Sequence, residues 1–322
     1  MIKLKEMMWF RSLLMLSLFA LSSACGNDDE VTTGTAKVDF EITDAPSDDA
    51  NVKGVIVTIA ELKVNGKSIE GFQKQTIDLK AYNEGNTKLL GNTVLQSGTH
   101  GNITMVLDLN SDANGNAPGC YVLSQDNSKH KLQTTTSGML EVAVNKSWSI
   151  KSDVENTVVV DFDIRKAIKR TDSGESEYGF IATADLQNAI RVVTKERSGM
   201  IRGSLENDDQ IDAEKVVVYA YKKGTFNAET EIGSEGDIQF KNAVTSAEVK
   251  MSLTGNTYTL AFLEEGEYEL HFIGYNTDDS SGRLMYTSRI EAETTVNGSV
   301  GEMVNVEAGA TVEITSSVKG IF

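Results

Sequence analysis

The residues of this sequence that could hold a metal ion lie close together. Oxygen-bearing side chains recur at alternate positions, as Asp108, Asn110, Asp112 and Asn114. Because Ca²⁺ takes about six to eight oxygen ligands, this spacing makes the segment a candidate calcium site. The EF-hand pattern is not met, since Ala113 and Gly119 occupy its sixth and twelfth positions. A hairpin loop between strands at 103–109 and 120–123 is the alternative, because Asn, Asp and Gly tolerate turns.

Tyrosines are the second set of residues that could bind a ligand. Rings exposed on a sheet face can contact a glycan, because they are apolar with a polar end. Strand alternation places Tyr219 and Tyr221 on the opposite face from Val216 and Val218. Together with Tyr275 and Tyr286 they predict a ligand platform, although aromatic residues make up only 7% of the chain.

Motifs for zinc or nucleophilic catalysis are missing from the sequence. The three histidines, His100, His130 and His271, share no H-x-x-H spacing, so a zinc site would need long-range convergence. Neither a G-x-S-x-G elbow nor a P-loop occurs. We therefore expect the protein not to be an enzyme, and we expect no cofactor unless the 108–116 segment binds Ca²⁺.

Three aspartates are candidate catalytic groups. A glycosidase carboxylate pair is defined by distance rather than by sequence spacing. Asp161 and Asp163 flank Phe162 on the outward face of a predicted strand, where solvation is the expected state. Asp44 precedes Ala45 and Pro46 at a strand end, which favours a structural Asx-turn.

Period-two alternation dominates the chain and predicts an all-β fold. Residues 36–43, 103–109, 158–164 and 216–220 place apolar side chains on one face. In the segment 55–64 the apolar parity changes, which predicts a β-bulge near Ala60. Helical periodicity is confined to 164–170 and 184–190. Many short strands separated by polar turns indicate β-sandwiches of the immunoglobulin-like or transthyretin-like kind.

A domain boundary is predicted near residues 194–199. This segment is polar and lacks alternation, and a new strand pattern begins at Met200. The sequence therefore predicts two tandem β-sandwich domains, at 35–193 and 199–322. A signal peptide (1–24) and a short acidic tether (25–34) precede them.

The N-terminus has the order of a secretory signal. Basic residues precede the apolar run Leu13–Leu21, and small residues lead to Cys25. The run is shorter than the roughly 20 residues that span a bilayer. The segment resembles the lipobox of bacterial lipoproteins, although Ser22 stands where that motif usually has Leu. The resemblance implies cleavage before Cys25 and acylation of that residue; plain secretion with a chance cysteine is the alternative.

Three acidic residues follow the cysteine, at Asp28, Asp29 and Glu30. Anionic headgroups would repel them, so the tether should leave the bilayer. They also resemble the acidic export signal that sends Bacteroidota lipoproteins to the outer face of the outer membrane. A solvated tether without an export role is the alternative.

Charge limits the classes of partner. Removing residues 1–24, which carry a net charge of +2, changes the formal charge from −17 to −19. Nucleic acid is therefore not an expected partner, because phosphate binding needs clustered basic residues. Cys120 is the only cysteine besides Cys25, so no intramolecular disulfide is expected, and we predict a buried structural thiol.

A second resemblance covers residues 35–193. Thr43-Asp44-Ala45-Pro46, Ile77-Asp78-Leu79, Leu89-Leu90-Gly91 and Val160-Asp161-Phe162-Asp163 resemble the domain of unknown function 4382 of exported bacterial lipoproteins. Gln96, His100 and Thr104 depart from the family's usual Pro, Tyr and Arg. The family implies no activity. From residue 199, Val216–Tyr221 and the Leu263-x-x-Gly266-x-Tyr268 pattern resemble a transthyretin-like or carboxypeptidase-regulatory-like module.

These observations predict a non-enzymatic, lipid-anchored protein of the outer membrane that faces the cell exterior. Its expected partners are the membrane, through the lipid, and an envelope protein or a glycan. The alternatives are a carbohydrate-binding lipoprotein and a fimbrillin-like pilus subunit. No Arg occurs between Arg11 and Arg165, which disfavours maturation by an Arg-directed protease.

Overall fold

The computed structural model describes residues 34–45, 51–171, 177–232, 238–278 and 282–322. Cys25, the acidic tether before Gly34, and Pro46 lie outside the described residues. Strands dominate, and the sheets form sandwich-like and barrel-like arrangements, so the all-β prediction is confirmed. Among the described residues, no helix has the length and apolarity to cross a membrane.

The part of the chain from 34 to 194 is called the N-terminal half. Its described strands are β1 (Thr35–Thr43), β2 (Val52–Val64), β3 (Lys67–Ser68), β4 (Gln75–Asp78), β5 (Lys88–Gln96), β6 (Gly98–His100), β7 (Ile103–Asp108), β8 (Tyr121–Ser124), β9 (Lys129–Lys131), β10 (Met139–Val144), β11 (Trp148–Ile150), β12 (Asn156–Phe162), β13 (Ile168–Arg170), β14 (Tyr178–Phe180) and β15 (Ile190–Thr194). The short helix α1 (Ile164–Ala167) falls within the predicted helical segment 164–170, and α2 (Thr183–Leu186) overlaps the start of the segment 184–190. Single 3-10 turns lie at Leu79–Ala81 and Gln187–Ala189.

Two sheets enclose the core of the N-terminal half. One has the order β15-β12-β1-β5, with β1 and β12 parallel. In the other, β2 pairs with both β7 and β8, whose further neighbours are β10 and β9. Alternation in β1 places Val38, Phe40 and Ile42 in the core, where they join β2 residues such as Val57 and Leu62. The polar side chains of β1 alternate with these residues, as expected of a strand that buries one face.

The bulge predicted near Ala60 is confirmed. The pairing of β2 with β7 shifts register between Ile59 and Glu61, so Ala60 is the extra residue. Beyond it, Leu62 and Val64 return to the core face that Val57 and Ile59 occupy. The change of apolar parity in the sequence therefore records a bulge rather than the end of a strand.

The hairpin predicted around residues 109–119 is wrong. Ile59 of β2 pairs with Gln75 on one edge and Leu107 on the other. Ile56 likewise pairs with Asp78 and with Tyr121. Since β4 supplies Gln75 and Asp78 on one edge, β7 and β8 lie one after the other along the opposite edge. The segment 109–119 is thus a loop inserted between two successive strands that pair with the same neighbour.

The part of the chain from 198 to 322 is called the C-terminal half. Its described strands are β16 (Ser198–Glu206), β17 (Lys215–Lys222), β18 (Thr245–Glu248), β19 (Asn256–Glu264), β20 (Gly266–Thr277), β21 (Leu284–Val296), β22 (Ser299–Gly301), β23 (Val304–Val306) and β24 (Thr311–Ile321). One short helix, α3 (Ala228–Glu231), follows β17. The strands form a single sheet of order β18-β17-β20-β21-β24-β16-β19, in which β16 and β24 are parallel.

The sheet of the C-terminal half curls until its ends meet. Lys250, just after β18, and Thr257 of β19 exchange backbone hydrogen bonds of 2.8 and 3.2 Å. This bridge gives the half a barrel-like form, and inward residues such as Ile201, Val218 and Leu260 fill its interior. Closure leaves few exposed edges on this half, which limits uncontrolled strand pairing.

The two halves meet at the 3-10 turn Lys195–Arg197. No pairing between described strands crosses this turn. Residues 34–322 nevertheless form one compact unit. The assignment of two independent domains at 35–193 and 199–322 therefore stays a prediction.

Candidate functional site

The loop predicted to bind Ca²⁺ satisfies its own carboxylates. Asp108 is buried; its Oδ1 accepts hydrogen bonds from the backbone N–H groups of Asn110 (2.8 Å) and Ser111 (3.1 Å). Its Oδ2 lies 2.7 Å from Nζ of Lys74. Burial alone would raise the pKa of Asp108, but Lys74 and the two N–H groups outweigh it and lower the pKa to about 2. A lysine thus already neutralises Asp108, the carboxylate that would be the first ligand of a calcium site.

Asp112 serves the same loop. Its Oδ1 accepts hydrogen bonds of 2.8 Å from the backbone N–H groups of both Asn114 and Asn116. These bonds lower the pKa of this exposed carboxyl. Within the described part of the chain, no three His, Cys, Asp or Glu side chains are grouped so that they could hold a metal ion.

The predicted tyrosine platform is wrong for three of its four members. Tyr219, Tyr221 and Tyr275 are only 1%, 0% and 2% exposed, and Tyr286 is half-buried. The face that they share with Val217 and Ile273 is covered by the segment that follows β17, through Phe226 and Phe240. A sheet face that is covered in this way cannot present rings to a ligand.

Hydroxyl groups tie these tyrosines into the covering segment. The hydroxyls of Tyr219 and Tyr275 are 2.7 Å apart, and the ring of Tyr219 stacks on Phe240 with centroids 4.4 Å apart. Tyr221 donates a 2.6 Å hydrogen bond to the buried Glu231, which also accepts bonds from Asn242. Buried polar groups of this kind fix one arrangement of a core, because an unsatisfied group is costly.

The expectation that Asp161 and Asp163 are solvated is also wrong. They are 4% and 6% exposed, because the outer face of β12 packs against the C-terminal half. Asp161 pairs with Arg191, and Oδ2 of Asp163 lies 3.0 Å from Nη2 of Arg165 and 3.3 Å from Nζ of Lys166. Two carboxylates therefore hold three cations at the junction.

Each of these three cations donates across the junction to main-chain carbonyl groups. Arg165 Nη1 reaches the carbonyl oxygens of Gln239 (2.6 Å) and Phe240 (3.1 Å). Lys166 Nζ donates to Ala243 (2.6 Å), and Arg191 Nη1 donates to Phe262 (3.0 Å). We name Asp161, Asp163, Arg165, Lys166 and Arg191 the junction cluster. It joins the halves through charge-assisted hydrogen bonds, which are stronger than neutral ones.

Asp44 borders the junction cluster. It lies at the end of β1, and its Oδ1 accepts a 3.1 Å hydrogen bond from the backbone N–H of Ile164. Burial raises the pKa of Asp44 well above its usual range, and the nearby charges of Asp163 and Asp161 raise it further. The structural role predicted for Asp44 agrees with this contact, although its partner is 120 residues away rather than in a local turn.

A groove lies beside the junction on the side of β11. It has a volume of about 470 Å³. The N-terminal half contributes Thr99 and Trp148, the connecting 3-10 turn contributes Arg197, and the C-terminal half contributes Glu264 and Glu265. Sequence reasoning missed this groove because its residues are distant in the chain. The indication in the sequence was slight: Trp148 is one of only two tryptophans, the other being Trp9.

Comparison with known proteins gives mostly distant likenesses. No curated protein matches the sequence. The TIE protein of Bacillus anthracis is 11% identical with a TM-score of 0.19, covering 88% of this chain and 35% of that one. This chain thus spans about a third of the length of that protein.

Two pilins are similarly distant. The major pilin of Streptococcus pyogenes is 10% identical (TM-score 0.19) over 90% of this chain and 98% of its own. The minor pilin of Streptococcus agalactiae is 11% identical (TM-score 0.19) over 88% and 97%. TM-scores this low do not establish a shared fold.

A family model gives the informative match. It covers residues 35–181, which include β1 to β14 and thus most of both sheets of the N-terminal half. The match ends before β15, although β15 pairs with β12 in the first sheet. The resemblance read from Asp44, Asp78 and Asp161 is therefore confirmed. Residues 35–181 of this chain match the model of the family described as Domain of unknown function (DUF4382).

Proposed function

We propose that the protein is a lipid-anchored component of the cell envelope with a non-enzymatic binding or assembly role. The observation that carries the proposal is Cys25, which follows an apolar signal segment and precedes three acidic residues. Two or more acyl chains hold a protein firmly, because each buried CH₂ contributes about 0.8 kcal/mol. The nine residues from Gly26 to Gly34 could extend on the order of 30 Å from the membrane.

The hydrogen bonds and ion pairs made by the polar clusters support a non-enzymatic role. Asp108 and Asp112 bind their own loop, Asp161 and Asp163 hold junction cations, and Glu231 accepts bonds from Tyr221 and Asn242. These are the carboxylates that could otherwise have served as acids, bases or metal ligands. Their partners are groups of the same chain, so these carboxylates have structural roles. This favours a binding or assembly role over catalysis.

Metabolic labelling with an alkyne fatty acid tests the anchor, and the chain offers its own control. The wild-type protein and a Cys120→Ala variant should both incorporate the label, because Cys120 is buried. A Cys25→Ala variant should lose the label. Label retained in Cys25→Ala, or lost only in Cys120→Ala, would overturn the lipid anchor.

Protease shaving of intact cells tests which side of the membrane the body faces. We expect peptides of residues 34–322 to be released from wild-type cells, and Cys25→Ala protein to appear in the medium or the periplasm. Protection of the wild-type chain until the outer membrane is breached would refute the outward orientation and indicate a periplasmic partner.

A further inference from the structure

The groove beside the junction is lined by a tryptophan whose N–H group has no partner among the described residues. Trp148 lines the groove and is 5% exposed, with its ring stacked on His100 at 4.7 Å and edge-on to Phe40 at 5.9 Å. Its buried Nε1 has no hydrogen-bond partner among the described residues. Buried indole N–H groups usually find a partner, so this one calls for an acceptor that the described chain does not supply.

The rim of the groove offers unused acceptors. The carboxylates of Glu264 and Glu265 are exposed and have no hydrogen-bond or ion-pair partner in the described part of the chain. Arg197, which also lines the groove, donates a 2.6 Å hydrogen bond to Ser149 and keeps further N–H groups. Thr99 and Ser147 add hydroxyl groups to the lining.

This combination restricts the charge of a ligand. Glu264 and Glu265 would repel an anion, while Arg197 would repel a cation. The ligand must also accept a hydrogen bond from Trp148 and donate hydrogen bonds to the carboxylates. Hydroxyl groups do both, because each has one donor and two acceptor lone pairs.

Strand addition by a peptide is disfavoured because main-chain groups at the groove are already used. Lys222 donates to the carbonyl oxygens of Glu264 (3.5 Å) and Glu265 (3.2 Å). Thr194 donates to the carbonyl oxygen of Ser149, whose strand is paired with that of Thr99. Recognition would therefore depend on side chains rather than on a free sheet edge.

We propose that this groove binds a neutral oligosaccharide, with Trp148 donating to a sugar oxygen and Glu264 and Glu265 accepting from sugar hydroxyls. The proposal deepens the envelope-binding role and rests on it, because it names the class of ligand that such a protein would hold. It uses residues of both halves, so the junction cluster, by fixing one half on the other, also fixes the groove.

Binding can be measured with detergent-solubilised full chain on an array of immobilised oligosaccharides. The array should carry neutral glucose, mannose, galactose and xylose oligomers beside uronic-acid and sulfated ones. We expect binding to neutral members only. Glu264→Ala/Glu265→Ala should weaken it by about tenfold or more, because hydrogen bonds to charged groups are lost. Glu302→Ala, an exposed acid outside the groove, is the matched control and should bind normally.

Trp148 fluorescence locates the bound sugar. In a Trp9→Phe chain, Trp148 is the only tryptophan, so titration with the bound oligosaccharide should shift its emission. Trp148→Phe removes the donor and should weaken binding, with circular dichroism confirming that the variant folds. Binding to no neutral oligosaccharide, binding only to acidic ones, or binding without a change in Trp148 emission would overturn the proposal.

The two proposals fail separately. If the Cys25→Ala variant keeps the fatty-acid label and the chain still binds sugar, only the anchor is refuted. A correctly labelled chain that binds no neutral oligosaccharide would refute only the groove.

Discussion

The pKa values of two neighbouring buried aspartates are shifted in opposite directions. The pKa of Asp44 is raised by burial and by the charges of Asp163 and Asp161. Burial would also raise the pKa of Asp163, but Arg165 and Lys166 outweigh it and lower the pKa. One carboxyl is therefore held towards its neutral form beside another that is held charged.

Replacing Asp44 by Asn should change how stability depends on pH. Above the ordinary pKa of 3.8, the folded chain keeps a proton on Asp44 that the unfolded chain releases, so the wild-type free energy of unfolding falls as pH rises. Asp44→Asn keeps the acceptor for Ile164 and removes the titration. In urea unfolding, the free energy of unfolding of the variant should rise relative to that of wild type above about pH 4, by up to about 1.4 kcal/mol per pH unit.

Asp108 provides the opposite case as a control. Its pKa is lowered to about 2 in the folded chain, so its contribution to stability is present above its ordinary pKa of 3.8 and lost as pH falls towards 2. The free energy of unfolding of Asp108→Asn should therefore fall relative to that of wild type as pH rises from 2 to 4. Parallel pH profiles for Asp44→Asn and wild type would contradict the assignment for Asp44.

Tyr221 should matter through its hydroxyl as well as its ring. Tyr221→Phe leaves buried Glu231 with bonds only from Asn242, so we expect a loss of about 1–3 kcal/mol in the free energy of unfolding. Tyr286→Phe makes the same chemical change at a half-buried position and should cost little. Equal effects in denaturant titrations of the two variants would refute a special role for the Tyr221–Glu231 bond.

At the scale of the strand, alternation predicts which side chains share a face but not what covers it. Val216, Val218 and Ala220 point into the barrel-like core as predicted, whereas Tyr219 and Tyr221 are buried under a segment with no periodicity. The bulge at Ala60 was predictable because it leaves a local trace in apolar parity. The loop at 109–119 was not, since its strands are placed by pairing with β2, about 50 residues away.

Close packing between β16 and β19 gives a prediction for a glycine. Gly203 pairs with Tyr258, and a Cβ on Gly203 would lie 2.1 Å from the tyrosine ring. Gly203→Ala should therefore destabilise the protein by about 1–3 kcal/mol, because the ring must move. Gly101→Ala, where a Cβ would have no neighbour within 4 Å, should be neutral or slightly stabilising. Thermal unfolding of the two variants measures the contrast, and equal melting temperatures would contradict it.

At the scale of the whole molecule, the junction cluster was beyond sequence reasoning. It draws its carboxylates and cations from 161–191 and its carbonyl acceptors from 239–262. No residue pattern within either segment indicates that the two segments are in contact. A weak sign was present in the run Asp161-x-Asp163-x-Arg165-Lys166, where acids on a core strand are followed directly by bases.

The cluster should make the halves unfold together. In a Trp9→Phe chain, Trp148 emission follows the N-terminal half, and hydrogen exchange of β24 follows the C-terminal half. We expect one shared midpoint in denaturant for the parent chain. Arg165→Met/Arg191→Met should separate the midpoints, because buried ion pairs that lose one partner cost about 3–5 kcal/mol.

Lys195→Met is the matched control for this experiment. It removes a more exposed cation of the connecting turn, whose Nζ lies 3.1 Å from Oε2 of Glu41 in the N-terminal half, so the pair does not involve the C-terminal half. An exposed pair contributes about 0–1 kcal/mol, so the midpoints should stay together. Separate midpoints in the parent chain would show that the cluster does not couple the halves.

The parallel pairing of β16 with β24 sets an order for assembly during synthesis. A chain made from its N-terminus delivers β16 more than 100 residues before β24, the last of the described strands. Until those final residues arrive, β16 lacks the neighbour that joins it to β21, and the barrel-like sheet stays open. A chain cut short before Thr311 by a premature stop codon would therefore never close the sheet, and it would be a substrate for quality-control proteases.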